Sequence, residues 1–140
     1  MLQYTIANHD LFQILPEVAN LFASEDAVIH IDTTTVPTLI VADIHGDMNA
    51  LQSALCKRSE LGCDTVVFLG DYIDRGPASL DVLECLFSLK LNEPDTIILL
   101  HGNHELKETN RFERLFEDLE YDEDLYARIK RVFIRCWWVQ

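Results

Sequence analysis

Three short clusters in this sequence combine the side chains that bind cations and phosphate. They are Asp43-Ile44-His45-Gly46-Asp47, Gly70-Asp71-Tyr72-Ile73-Asp74-Arg75-Gly76 and Gly102-Asn103-His104-Glu105. Asp43 and His45 set a carboxylate and an imidazole two residues apart, donors suited to one divalent transition metal. A carboxylate has two oxygens, so Asp71 can bridge two cations, and Asn103 can give a neutral oxygen to the second. Two cations about 3.5–4 Å apart can lower the pKa of a shared water and hold a phosphoryl oxygen. Arg75 carries a planar fork suited to phosphate oxygens. His104 could protonate a leaving oxygen, with Asp74 holding its other ring nitrogen and favouring the protonated ring. Each cluster also has a plain structural reading. Asp43 and His45 could be surface residues of a turn, Asn103 a helix N-cap, and Asp74–Arg75 a surface ion pair. The three in this order, each following an apolar run, point to one site.

Those apolar runs are residues 39–42, 65–69 and 96–100, and each reads as a buried strand. Helices are predicted between them. Residues 48–61 put Leu51, Ala54 and Leu55 on one face, with Gly62 as a stop. Pro77 suits the first turn of the next helix, which carries Leu80, Leu83, Leu86, Phe87 and Leu89 and ends near 92–94. Residues 9–23 repeat Leu11, Phe12, Leu15, Val18, Ala19 and Phe22 at helical spacing, and Pro16 is expected to kink that helix or delay its start. Val28, Ile29 and Ile31 suggest a short strand ended by a turn at 33–37. Two further helices are expected at about 109–119 and 122–135. Strands alternating with helices imply βαβ units and a parallel sheet, so the fold class is α/β with a βαβαβ core. Right-handed crossovers place the C-terminal ends of the strands on one edge, where open α/β sheets bind ligands. All three clusters should meet there.

Composition fits this reading. The chain has 140 residues, enough for one domain or part of one, and 49% of them are hydrophobic. A net charge of −13 argues against a nucleic-acid or anionic-membrane partner, because phosphate backbones are held mainly by Lys and Arg. Phosphate chemistry would then need local positive charge, most simply from metal ions. Cys56, Cys63, Cys85 and Cys136 form no C-x-x-C pair, so zinc-ribbon and thioredoxin readings have no support, and a helical Cys acts as a small apolar residue. No basic segment followed by an apolar one opens the chain, so no secretory leader is expected. No stretch approaches the roughly 18 apolar residues of a membrane span. The expected compartment is cytoplasmic.

The three clusters resemble the signatures of the phosphoprotein phosphatases of the calcineurin-like metallophosphoesterase superfamily. The Gly-Asp-Tyr-x-Asp-Arg-Gly form and Glu105 are similar to the serine/threonine branch, and the resemblance covers about residues 10–137, including Thr109-Asn110-Arg111. It implies a binuclear site of manganese, iron or zinc, in which Asp43 and His45 bind the first metal, Asp71 bridges and Asn103 binds the second. It also implies that Arg75, Asn103 and His104 contact the phosphate, and that His104 paired with Asp74 is the general acid. A metal-bridging hydroxide would attack phosphorus in line, without a phosphoenzyme, on a phosphoprotein or phosphopeptide substrate.

The pattern is not matched throughout. Ala42 stands where the family usually has Gly, and His101 where many members have Arg. The family's domain runs well beyond this length, and its later half supplies three more metal-binding histidines, a second phosphate-binding arginine and a second β-sheet. His9 and His30 do not match those ligands. Residues 1–140 are therefore expected to be the N-terminal portion of such a domain, truncated relative to the two-sheet sandwich, with impaired activity. An uncovered sheet face would favour self-association or a partner chain. Two alternatives stay open: a non-catalytic fragment that binds phosphate or a partner, and a hydrolase of the bis(5′-nucleosyl)-tetraphosphatase type, which shares related signatures.

Overall fold

The computed structural model describes residues 11–26, 28–106, 114–134 and 137–138, the last two as backbone alone. In chain order the elements are α1 (Leu11–Ser24), β1 (Thr38–Val41), α2 (Met48–Leu61), β2 (Thr65–Phe68), α3 (Ser79–Asn92) and β3 (Ile97–His101). They are followed by α4 (Arg114–Asp118), α5 (Glu123–Phe133) and β4 (Trp137–Trp138). The four strands form one sheet in the order β1-β2-β3-β4, and every neighbouring pair is parallel. Ile40 faces Val67 and Val67 faces Ile98, so the three strands end at nearly the same level. The α/β reading with a βαβαβ core is observed.

The side-chain alternation of a strand divides the sheet into two faces. Leu39 and Val41, Val66 and Phe68, and Ile97 and Leu99 all join one apolar core with residues from α1 to α5. The opposite face carries Ile40, Val67 and Ile98, which lie outside that core, and Ile40 is 65% exposed. Among the described residues the helices thus cover one face of a single sheet.

Local chemistry explains the helix ends. Asp47 caps α2, its carboxylate accepting the N–H groups of Asn49 (2.9 Å) and Ala50 (3.1 Å). Gly62 then takes the left-handed conformation that ends the helix (φ 63°). Asp122 caps α5 in the same way, through the N–H groups of Asp124 and Leu125.

Three expectations need correction. Pro16 does not delay α1, which is already helical at Leu11. Proline lacks an N–H, so the Phe12 carbonyl one turn earlier loses its helical donor. Arg128 of α5 supplies one, with Nη2 2.6 Å from that oxygen and its guanidinium 5.6 Å from the Phe12 ring centroid. Residues 28–31 form no strand. They pair with nothing in the sheet, Val28 is 63% exposed, and Asp32 turns the chain by accepting Thr34 N–H and the hydroxyls of Thr34 and Thr35. So short an apolar run cannot stay extended without a ladder partner. Pro77 precedes α3 rather than opening it, and Ala78 takes the cap position. The helix expected at 109–119 is observed only as α4, because residues 107–113 lie outside the described residues, as does Cys136.

At the N-terminal edge of the sheet, long basic side chains tie the elements together. Lys90, 1% exposed, donates to the carbonyls of Pro94 (2.7 Å) and Ile97 (2.8 Å) and pairs with Glu25 beyond α1. Arg58 donates to the Cys63 and Asp64 carbonyls and pairs with Glu93 at 2.8 Å.

Candidate metal-phosphate site

The turns after β1, β2 and β3 are stitched to one another at the C-terminal edge. The Asp71 carbonyl accepts the N–H groups of Ile44 (3.0 Å) and His45 (2.8 Å), and the Tyr72 carbonyl accepts Gly46 N–H (2.7 Å). Gly76 N–H returns to the His45 carbonyl at 2.8 Å. Between the second and third turns, Asp71 Oδ1 accepts His104 N–H at 2.9 Å. The approach is so close that a Cβ at Gly102 would lie 2.2 Å from Asp71 Oδ1. One at Gly70 would lie 2.0 Å from Gly102 N, so both positions require glycine.

The backbone is strained where the side chains converge. His45 (φ 48°), Asp71 (φ 53°), Asp74 (φ 66°) and Arg75 (φ 65°) are all left-handed. Such residues cost on the order of 1–3 kcal/mol each and persist where surrounding bonds over-determine them. The stitching described above is that determination.

Ring orientations follow from the hydrogen bonds. A carbonyl only accepts, so His45 Nδ1 donates to Ile73 O at 3.0 Å and Nε2 is left with its lone pair. His45 Nε2 is buried and has no hydrogen-bond partner, and Asp43 Oδ2 lies 3.6 Å away. An orphaned buried acceptor beside a carboxylate suits a cation. One ligand atom each from His45, Asp71 and His104 lies within 4.8 Å of the others, and the His45 and His104 rings meet edge to face at 4.7 Å.

His104 is engaged on both sides of its ring. Its Nδ1 lies 3.0 Å from Asp74 Oδ2, and Asp74 is completely buried. Arg75 Nη2 donates to Nε2 at 3.2 Å. Asp74 is itself fixed, its Oδ1 accepting Leu115 N–H of α4 (2.9 Å) and its own N–H reaching Ser79 Oγ (3.1 Å). Arg75 and Asn103 are both exposed.

Of the residues read from the sequence, Asp43, His45, Asp71, Asp74, Arg75 and His104 stand together by these contacts, and Asn103 adjoins them on the third turn. Asp47, quoted with the first cluster, belongs to the α2 cap instead. Sequence reading missed the supports. Ser79 and Leu115 hold Asp74. Tyr72 bonds the carbonyls of Phe68 and Leu100. Glu105, 2% exposed, accepts three N–H groups: Asp71 (2.8 Å), Tyr72 (2.9 Å) and Gly102 (2.8 Å). Burial pushes the Glu105 carboxyl above its ordinary range, the three donors pull it back, and the Asp71 charge adds to the rise.

Residues 36–136 match the family model described as calcineurin-like phosphoesterase. The chain belongs to that family. Among its phosphoesterase relatives is the serine/threonine-protein phosphatase 4 catalytic subunit of Kluyveromyces lactis, 31% identical over 78% of this chain and 34% of that protein. The PP2A-like phosphatase PPG1 of Saccharomyces cerevisiae is 35% identical over 69% of this chain and 28% of that protein. A solved serine/threonine phosphatase from Saccharomyces cerevisiae, described as similar to human PP5, shares the fold with a TM-score of 0.75. It is 22% identical, and the match covers 90% of this chain and 42% of that one. The chain spans about a third of the length of the first curated relatives it matches. No helix among the described residues is long and apolar enough to cross a membrane.

Proposed function

We propose that residues 1–140 are the N-terminal portion of a metal-dependent phosphoprotein phosphatase domain, acting on phosphoserine or phosphothreonine. The observation that carries this reading is the buried His45 Nε2, without a hydrogen-bond partner, clustered with the Asp71 carboxylate and the His104 imidazole delivered by the two other strand-end turns. The relatives named above are serine/threonine phosphatases, which favours a phosphoprotein substrate over a dinucleoside polyphosphate.

Asp43, His45, Asp71 and Asn103 would hold two divalent cations, manganese, iron or zinc. Bound there, they supply positive charge to phosphoryl oxygens and lower the pKa of a water. The chain's own residues do the rest. Arg75, Asn103 and His104 bind and orient the phosphate. Arg75 is exposed and turns its fork from His104 to the phosphoryl oxygens, which frees Nε2 to carry a proton. Asp74 keeps Nδ1 occupied and, fixed by Leu115 and Ser79, stabilises the positive ring. His104 Nε2 then protonates the leaving seryl oxygen.

Phosphate release from a phosphoserine peptide with added Mn²⁺ tests this. Release is expected to fall by about 10²–10⁴-fold in His104→Ala, the usual worth of a positioned acid. Equal release from wild type and His104→Ala would contradict it. The share of its relatives that the chain spans favours a second reading, a fragment that binds phosphopeptide without turnover. Saturable peptide binding with no phosphate release at any Mn²⁺ concentration is its outcome.

A further inference from the structure

We propose that Glu105 is a positioning residue for the metal-phosphate site and that Lys130 fixes Glu105 from behind. The proposal rests on the reading of the site as one that binds metal. Glu105 touches no reacting group. Its carboxylate takes backbone N–H donors from two turns, Asp71 and Tyr72 after β2 and Gly102 after β3. One oxygen serves both turns, because Oε2 accepts Asp71 N–H and Gly102 N–H together. Together with the direct bond from His104 N–H to Asp71 Oδ1, this group fixes the separation of the turns, and with it the place of the Asp71 carboxylate against His45 and His104.

The main chain of Glu105 is held in turn. Lys130 Nζ donates to the Glu105 carbonyl from the last turn of α5, a helix whose apolar side joins the common core. Lys130 is 6% exposed and sits between the rings of Tyr126 and Phe133, 5.8 and 5.4 Å from their centroids. Burying a lysine there costs free energy that an apolar residue would not. The path from α5 through Lys130 and Glu105 to the Asp71 amide gives that cost a role. It predicts that substitutions which leave every metal-facing side chain intact still change the site.

The test uses the full chain with Glu105→Gln, Lys130→Met and, as a control, Lys90→Met, another buried lysine on backbone carbonyls but at the far end of β3. Mn²⁺ affinity is measured by calorimetry, and the coordination environment by the visible bands of bound Co²⁺. Glu105→Gln keeps the shape but loses one acceptor. It is expected to weaken Mn²⁺ binding by about 10–100-fold, the range typical of groups that orient metal ligands, and to shift the Co²⁺ bands. Lys130→Met is expected to do the same to a smaller extent, while Lys90→Met lowers the melting temperature and leaves both signals alone. Should Glu105→Gln fail to fold, Lys130→Met decides the matter by the same two signals. Unchanged affinity and bands in the folded variants, with wild type binding normally, would overturn the positioning role and leave the metal site standing. Wild type that binds neither Mn²⁺ nor Co²⁺ would overturn the site and this proposal with it.

Discussion

At the N-terminal edge of the sheet, Lys90 shares its ammonium among two carbonyls and Glu25, and Arg58 spreads its guanidinium over two carbonyls and Glu93. Among the described residues, no non-glycine residue there is left-handed. At the C-terminal edge, four non-glycine residues are left-handed, His45 Nε2 is buried without a hydrogen-bond partner, and Asp43 is exposed. One edge of the same sheet is optimised for holding the fold, while the other spends stability on geometry. The contrast teaches where strain and unsatisfied groups should be read as function. Four of the six left-handed non-glycine residues among the described residues stand where strands end, and the other two, Glu120 and Tyr121, turn the chain between α4 and α5.

Substitutions at the two edges should therefore separate binding from stability. The largest effect is expected for Gly102→Ala, whose Cβ would press on Asp71 Oδ1. Mn²⁺ affinity should fall by more than the about 10–100-fold typical of an orienting group, because a ligand itself is displaced. Calorimetry checks this, and wild-type affinity in a folded Gly102→Ala protein would erase the contrast. Next, Lys90→Met leaves Glu25 and two carbonyls without their donor. It should lower unfolding stability by about 3–5 kcal/mol in urea melts, with Mn²⁺ affinity unchanged. A smaller loss, about 1–2 kcal/mol, is expected for Arg58→Met, whose partner Glu93 is better solvated. Smallest is a difference in labelling. Burial pushes the Cys85 thiol up to about 11, so at pH 8 it should react far more slowly than the exposed Cys56 and speed up only as urea unfolds the chain. Mass spectrometry of each labelled peptide reads this, and equal rates in water would show the core to be open.

How far the sequence could be read follows from the same two edges. Apolar runs followed by acidic or imidazole residues located β1, β2 and β3 to within a residue or so, because a buried strand and its polar end have opposite compositions. Met48–Leu61 was legible from Leu51, Leu55 and Gly62. Pro16 misled because its missing hydrogen bond is repaired by Arg128, a residue distant in sequence. Val28–Ile31 misled because apolar spelling alone does not supply a ladder partner. At the site, the residues that face the cluster could be named from type and spacing, but their supports could not. Glu105 marks the motif, but its type and spacing do not announce its role, because its carboxylate contacts are backbone N–H groups, two of them on another turn. Lys130 left one signal, a lysine on the apolar stripe of Tyr126, Ile129 and Phe133. A charged residue at such a position must find a partner, and only the fold says which.

If three strand-end turns build one cation site, Mn²⁺ titrated into the 140-residue chain and into Asp71→Asn, a change that keeps shape and removes charge, must tell the two proteins apart. Saturable binding by wild type, lost in Asp71→Asn with an unchanged melting curve in the absence of metal, is the expected result. No binding by a folded wild type, or equal binding by both, would contradict it.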